Sequence, residues 1–209
     1  MLAGMTDPAA PSRTEAADGR RQARKPPKPA TPERLHKAAL HYLERYASSA
    51  ANLRRVLLRR VERSARLHGT DRAEAAAWID AIIARLSAAG LIDDRAYAEG
   101  RVASLHRRGA SLRKIAGMLR QKGLDEETIS AALGTLAEDT AAPDLAAAVR
   151  LAQRRRLGPW RDPAKREERR DRDLAALARA GFSFDVARRV VEAESPEALA
   201  EVLAEARSG

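Results

Sequence analysis

Neighbouring carboxylates are the residues of this sequence best placed for acid–base or magnesium chemistry. Asp93 and Asp94 are adjacent, and Asp125-Glu126-Glu127 and Glu138-Asp139 are the other acidic runs. Carboxylates held close together bind divalent cations or share a proton. The first two groups, however, directly precede apolar stripes of helical period, where acids cap a helix and offset its dipole. We therefore interpret these acids as helix-start residues and expect no catalytic residue.

The histidines and glycines indicate no metal or cofactor chemistry either. His36 and His41 are five residues apart, which places them on different faces of a helix. The chain has no cysteine, so it has neither disulfides nor thiolate ligands. It also lacks the glycine loops that bind nucleotide phosphates. We expect no metal, no cofactor and no enzymatic activity.

The arginines are the strongest chemical signal. The chain carries 39 Lys+Arg against 29 Asp+Glu, a net charge of +10, and only six of its cations are lysines. The rigid fork of arginine suits phosphates and carboxylates, so this balance indicates a polyanionic partner. For any single charge run the alternative is a solvated helix face. The candidate binding residues fall into three clusters: Arg54, Arg55, Arg59, Arg60; Arg101, Arg108, Arg113, Arg120, Lys122; and Arg154, Arg155, Arg156.

The elements that carry these cations are predicted to be helices throughout. Apolar residues recur at helical spacing, and no segment alternates as a strand does. The predicted structural turns are Gly90, Asp93, Asp94, Gly109, Gly123 and Gly181. Tyr42, Tyr46, Tyr97 and Trp78 fall in apolar stripes and are predicted to be core residues, whereas Trp160 is predicted to be exposed. The fold class is therefore all-α.

An internal repeat organises these helices. Residues 119–129 parallel residues 177–187, with a helix ending at glycine, one apolar residue and a polar helix start in each. We predict an elongated array of three tandem three-helix units. The boundaries are a disordered basic Pro/Ala-rich tail at 1–30, units at 31–92, 93–139 and 140–194, and an extra C-terminal helix at 195–209.

No run of apolar residues is long enough to span a membrane, and the start of the chain lacks the apolar centre of a secretory signal. We therefore expect a cytoplasmic protein without a membrane partner.

Several of these motifs together resemble the bacterial RecX family. The resemblance rests on residues 86–101, which contain Gly90-Leu91-Ile92-Asp93-Asp94, and on residues 109–115 and 119–129. Residues 35–48 and 53–55 are similar to the opening repeat of that family. The match covers residues 33–137 well and weakens through the third unit, where only Gly181-Phe182-Ser183 is clear.

Three features depart from the family pattern. Val61 stands where the first unit of the family usually has glycine, and an insertion follows it. Ala180 precedes Gly181 where a basic residue is usual, and the Pro-rich tail is additional. The first departure leaves open how the second and third helices pack.

The resemblance implies a regulator that binds the RecA recombinase and its nucleoprotein filament. Family membership implies that ATP hydrolysis and strand exchange by RecA are suppressed, so that recombinational DNA repair and the SOS response are regulated. The arginine clusters would then meet acidic protein surface or DNA phosphates, with weak, salt-dependent DNA binding. We expect a monomer. The alternatives are a generic basic helical DNA-binding protein without RecA preference and an enzyme with an unrecognised site.

Overall fold

The computed structural model describes residues 28–208, and within them ten α-helices follow one another without a strand. The helices are α1 (Pro32–Leu43), α2 (Ala50–His68), α3 (Arg72–Ala88), α4 (Asp94–Arg107), α5 (Leu112–Gln121), α6 (Glu126–Asp139), α7 (Pro143–Arg155), α8 (Arg166–Arg179), α9 (Phe184–Val191) and α10 (Pro196–Ser208). Two 3₁₀ turns, Gly158–Trp160 and Pro163–Lys165, connect α7 to α8. The all-α prediction is confirmed.

The acids at helix starts act as caps. The Asp93 carboxylate accepts the Ala96 amide at 2.9 Å, and the Asp125 carboxylate accepts the Thr128 amide at 2.7 Å. The amide of Thr128 also lowers the pKa of Asp125 below its ordinary value. These bonds satisfy amides that have no partner inside the helix, so the interpretation of these residues as caps is confirmed.

Three hydrophobic cores divide the helices into groups. The first unit (α1–α3) packs around Leu53, Leu57, Ile79 and Ile82, all at most 1% exposed. The second unit (α4–α6) and the third unit (α7–α9) each have a core of their own. Helix α10 packs on the third core through Leu199, which is 2% exposed. Because no helix trio buries much surface alone, the contacts between units matter for stability.

The departure at Val61 has a simple structural outcome. Helix α2 continues through Val61, which is 2% exposed in the first core, and ends only at Gly69 in the left-handed conformation. The insertion therefore lengthens α2 rather than breaking it. Near the C-terminal end of α2, the Ser64 hydroxyl forms a hydrogen bond with the Thr70 hydroxyl and accepts one from the Ala30 amide, both at 2.7 Å. The second bond holds the segment that precedes α1 against α2.

The structure differs from the sequence-based expectations at several places. Tyr46 lies beyond the end of α1 and is 52% exposed, so its assignment to the core is wrong. Trp160 is half-buried against the third core, where an exposed ring was expected, because its 3₁₀ turn folds back on α8 and α9. Residues 1–27 of the predicted tail lie outside the described residues, whereas Ala30 already packs on the first core.

Candidate partner-binding surface

The surface that carries the candidate cations is shaped by two contacts between units. At the first seam, between the first and second units, Ser49 begins α2 and donates its hydroxyl to the Lys122 carbonyl at the end of α5, at 2.7 Å. Beside it, the Ala50 amide donates to the Asp94 carboxylate at 2.8 Å. The start of α2 is thus capped by its own serine and by an acid of the next unit.

The second seam, between the second and third units, repeats this arrangement. The Ser111 hydroxyl at the start of α5 donates to the Ala180 carbonyl at the end of α8, at 2.9 Å. The Leu112 amide donates to the Asp144 carboxylate at 2.8 Å. The middle helices of the three units therefore stack head to tail with the same chemistry. In the sequence, these contacts between units are indicated by a serine at the start of α2 and of α5.

Glycines allow the units to approach closely at both seams. A Cβ atom added at Gly123 would lie 2.5 Å from the Ala51 Cβ, and one at Gly181 would collide with the Ser111 hydroxyl. Both residues also have positive φ. By contrast, Gly90 has a φ of +69° but nothing within 4 Å of such an atom. A Cβ atom added at Gly109, which has a φ of +75°, would lie 3.0 Å from the Ala147 carbonyl oxygen across the second seam. Three of the four predicted turn glycines are thus also contact residues between units.

Three of the candidate cations hold the seams together. Arg55 donates to the Gln121 carbonyl at 2.6 Å, and Arg154 donates to the Arg108 carbonyl at 2.6 Å. Lys122 donates to the Asn52 side chain at 3.4 Å. The two arginines meet carbonyls at helix C-termini, where a cation also compensates the helix dipole. Their side chains are therefore engaged in contacts between units.

Two more candidate cations form ion pairs within their own unit. The Arg54 guanidinium binds both oxygens of Asp80, at 2.6 and 3.2 Å, and holds the pKa of that carboxyl below its usual value. The Arg120 guanidinium likewise binds both carboxylate oxygens of Glu126 and lowers the pKa of that carboxyl. Exposed pairs of this kind add little stability, but their carboxylates neutralise the positive charge locally.

The remaining candidates have no carboxylate partner among residues 28–208. They are Arg59, Arg60, Arg101, Arg108, Arg113, Arg155 and Arg156, and all but the half-buried Arg101 are exposed. Arg60 lines a cleft of about 230 Å³ together with Lys28, Arg34 and Arg63, here called the basic cleft. Lys28 and Arg34 were not among the sequence candidates, because only the packing of residues 28–34 against α2 brings them beside Arg60.

The third unit contains one buried charge pair. Asp173 is 3% exposed, and both its oxygens bind the Arg161 guanidinium, at 3.0 and 2.7 Å. The same carboxylate accepts the Gly158 amide at 2.9 Å. This network fastens the connection between α7 and α8 to the core, so Arg161 is occupied and is not a surface cation.

No group of three metal-ligating side chains occurs within residues 28–208. The buried His106 bonds the Pro143 carbonyl at 2.8 Å across the second seam, which is a structural contact. None of the helices in the described part of the chain is long and apolar enough to cross a bilayer.

Comparison with known proteins points to one family. A family model described as RecX, second three-helix domain, matches residues 93–133. The chain is 47% identical over 169 residues to a regulatory protein RecX of Myxococcus xanthus, covering 80% of this chain and 89% of that protein. It is 41% identical over 107 residues to the Agrobacterium fabrum protein of the same name, covering 51% and 55%. A crystal structure of RecX from Lactobacillus salivarius superposes with a TM-score of 0.54 at 22% identity, covering 77% of this chain and 94% of that one, which shows the shared fold.

Proposed function

The chain belongs to the RecX family of regulatory proteins, and on that premise we propose that it binds RecA and its DNA filament and lowers RecA ATP hydrolysis and strand exchange. It acts by binding rather than by catalysis, in the cytoplasm and as a monomer. The observation that carries the proposal is the match to a RecX protein over most of both chains. The charge of the molecule supports it, because RecA filaments present DNA phosphates that cations can meet.

The contacts with the filament are assigned to the cations that the fold leaves available. Arg60, with Arg63 and the rest of the basic cleft, forms one group on the first unit, and Arg59 is assigned beside it although it lines a separate cleft. Arg101, Arg108 and Arg113 are the residues assigned on the second unit, and Arg155 and Arg156 are those assigned on the third. In this proposal each arginine contributes to filament affinity through phosphates or acidic side chains, and the binding weakens steeply with salt.

The other candidates contribute indirectly. Arg54 and Arg120 are paired with carboxylates, and Arg55, Lys122 and Arg154 hold the seams. Substituting them changes the shape of the binding surface as well as its charge. A loss of activity in such variants is therefore interpretable only beside a stability measurement.

The direct test adds the purified protein to RecA on single-stranded DNA at low salt. We expect the RecA ATPase to slow at equimolar or lower amounts of the protein, and the protein to sediment with the filament. A protein that leaves the ATPase unchanged contradicts the proposal. The generic DNA-binding alternative predicts the same gel shift on bare DNA as on RecA-coated DNA, so both substrates are compared in one experiment.

A further inference from the structure

The tyrosines of this chain gather at one place. The sequence has three, Tyr42, Tyr46 and Tyr97. The rings of Tyr42 and Tyr46 are tilted by 45° with their centroids 5.2 Å apart. Burial raises the pKa of the Tyr97 phenol, which also interacts electrostatically with the Arg101 guanidinium, with Tyr42 and with the Asp94 carboxylate. The contacting rings of Tyr42 and Tyr46, together with Tyr97 of the second unit, are here called the seam cluster.

The inner part of the seam cluster is fixed by hydrogen bonds. The Asn52 side chain donates to the Tyr42 hydroxyl at 3.3 Å and accepts from the Lys122 ammonium at 3.4 Å. Tyr42 and Tyr97 are half-buried. Because these residues come from α1, α2, α4 and the end of α5, the position of the cluster depends on the seam being closed.

The outer part of the seam cluster is open to solvent and carries an arginine. Tyr46 is 52% exposed, and the Arg45 guanidinium lies 5.8 Å from its ring centroid. Among the acids of these elements, Asp94 accepts the Ala50 amide, and the Glu44 carboxylate lies 3.4 Å from a ring nitrogen of His41. The Tyr46 ring, in contact with the Tyr42 ring, is therefore exposed to solvent beside one guanidinium.

The other aromatic side chains are placed differently. Phe182 is 2% exposed, and Trp78 and Trp160 pack partly buried against the first and third cores. Phe184 is 62% exposed with the Arg188 guanidinium 5.9 Å from its ring centroid, but it has no second aromatic ring in contact within the described residues. The second aromatic ring in contact with the exposed one distinguishes the seam cluster from this isolated pair.

We propose that the seam cluster binds single-stranded nucleic acid, with an unpaired base stacked on Tyr46 and a flanking phosphate held by Arg45. Aromatic rings accept every base by stacking, and neighbouring cations follow the backbone, which is the arrangement that sequence-independent single-strand binding requires. A duplex keeps its bases stacked on one another and cannot offer a face to Tyr46. The biological role of this site rests on the proposed function, whereas the binding itself needs no RecA.

The experiment measures fluorescence anisotropy of a labelled oligothymidylate, an abasic oligonucleotide of equal length and a duplex, all without RecA. Tyr46→Ala should weaken binding of the oligothymidylate by about fivefold or more, and leave the abasic strand and the duplex unchanged. Tyr46→Phe keeps the ring and should bind like the parent protein. Phe184→Ala is the matched control, since it removes an equally exposed ring beside an arginine, and should change nothing.

Two results would overturn the inference. Equal binding of oligothymidylate by Tyr46→Ala and the parent protein excludes base stacking at this site. If that variant has also lost inhibition of RecA, the cluster is a protein-docking surface instead. An equal loss on the thymidylate and abasic strands shows that the ring only supports the cations. In either case the parent protein still inhibits RecA if the proposed function is right, so the two failures are distinguishable. Unchanged thermal melting of Tyr46→Ala verifies its fold.

Discussion

The glycines at the seams allow the stacking of units to be measured with a single methyl group. Gly123→Ala places a Cβ 2.5 Å from the Ala51 Cβ across the first seam, whereas Gly90→Ala places one in open space. Both residues have a similar positive φ, +81° and +69°. Each substitution therefore costs about 1–2 kcal/mol of backbone strain. Overpacking adds about 1–3 kcal/mol for Gly123→Ala alone.

The difference between the two variants isolates the contact between units. Since 1 kcal/mol shifts Tm by about 2–4 °C in a chain of this size, we expect Gly123→Ala to melt at least about 2 °C below Gly90→Ala in a calorimetric scan. Hydrogen exchange should show faster exchange of the Ala50 and Asn52 amides in Gly123→Ala alone. Equal melting and equal exchange in the two variants would refute the close packing of α5 against α2.

Two further predictions concern charged residues. Asp173→Ala leaves the Arg161 guanidinium and the Gly158 amide without their shared acceptor. It should therefore lower the free energy of unfolding, measured in urea, by about 3 kcal/mol. A decrease of less than about 1 kcal/mol would show that the network is not needed for stability. Glu62 is paired with Arg72 and Arg66, which lower the pKa of its carboxyl from 4.5 to about 2. The ion pairs therefore stabilise the fold fully above pH 4.5, and this stabilisation is lost as the pH falls toward 2. The difference in Tm between the parent protein and Glu62→Gln should therefore be larger at pH 6 than at pH 3; a constant difference would contradict the ion pair.

Local features of this fold were predictable from the sequence. Asp93 and Asp125 precede apolar stripes and cap them, and Gly90 ends α3 with positive φ, because capping and left-handed turns depend on neighbouring residues only. The family resemblance added the order of the units. Val61 departs from the family pattern but continues the apolar spacing of the helix, and α2 therefore continues through it.

Contacts between distant residues were not predictable in the same way. Ser49 and Lys122 are 73 positions apart, and only the stacking of α2 on α5 brings them together. Whether an arginine is available likewise depends on which oxygen the fold places within 3–4 Å, so Arg54 and Arg59 look alike in the sequence but differ in the structure. Tyr46 was assigned to the core because its spacing continued α1, but the helix ends before it.

We propose as the central point that the assigned cations of the three units, and not exposed cations in general, bind the RecA filament. The most direct measurement compares the triple variant Arg59→Glu, Arg60→Glu, Arg63→Glu with the control triple Arg85→Glu, Arg179→Glu, Arg189→Glu, which changes the net charge equally at exposed positions outside the assigned surface. RecA ATPase inhibition is titrated with each protein at fixed low salt, after both are shown to melt like the parent. We predict that half inhibition requires at least about tenfold more of the first triple variant than of the parent protein, while the control triple stays close to the parent. Equal inhibition by the two triples would contradict it.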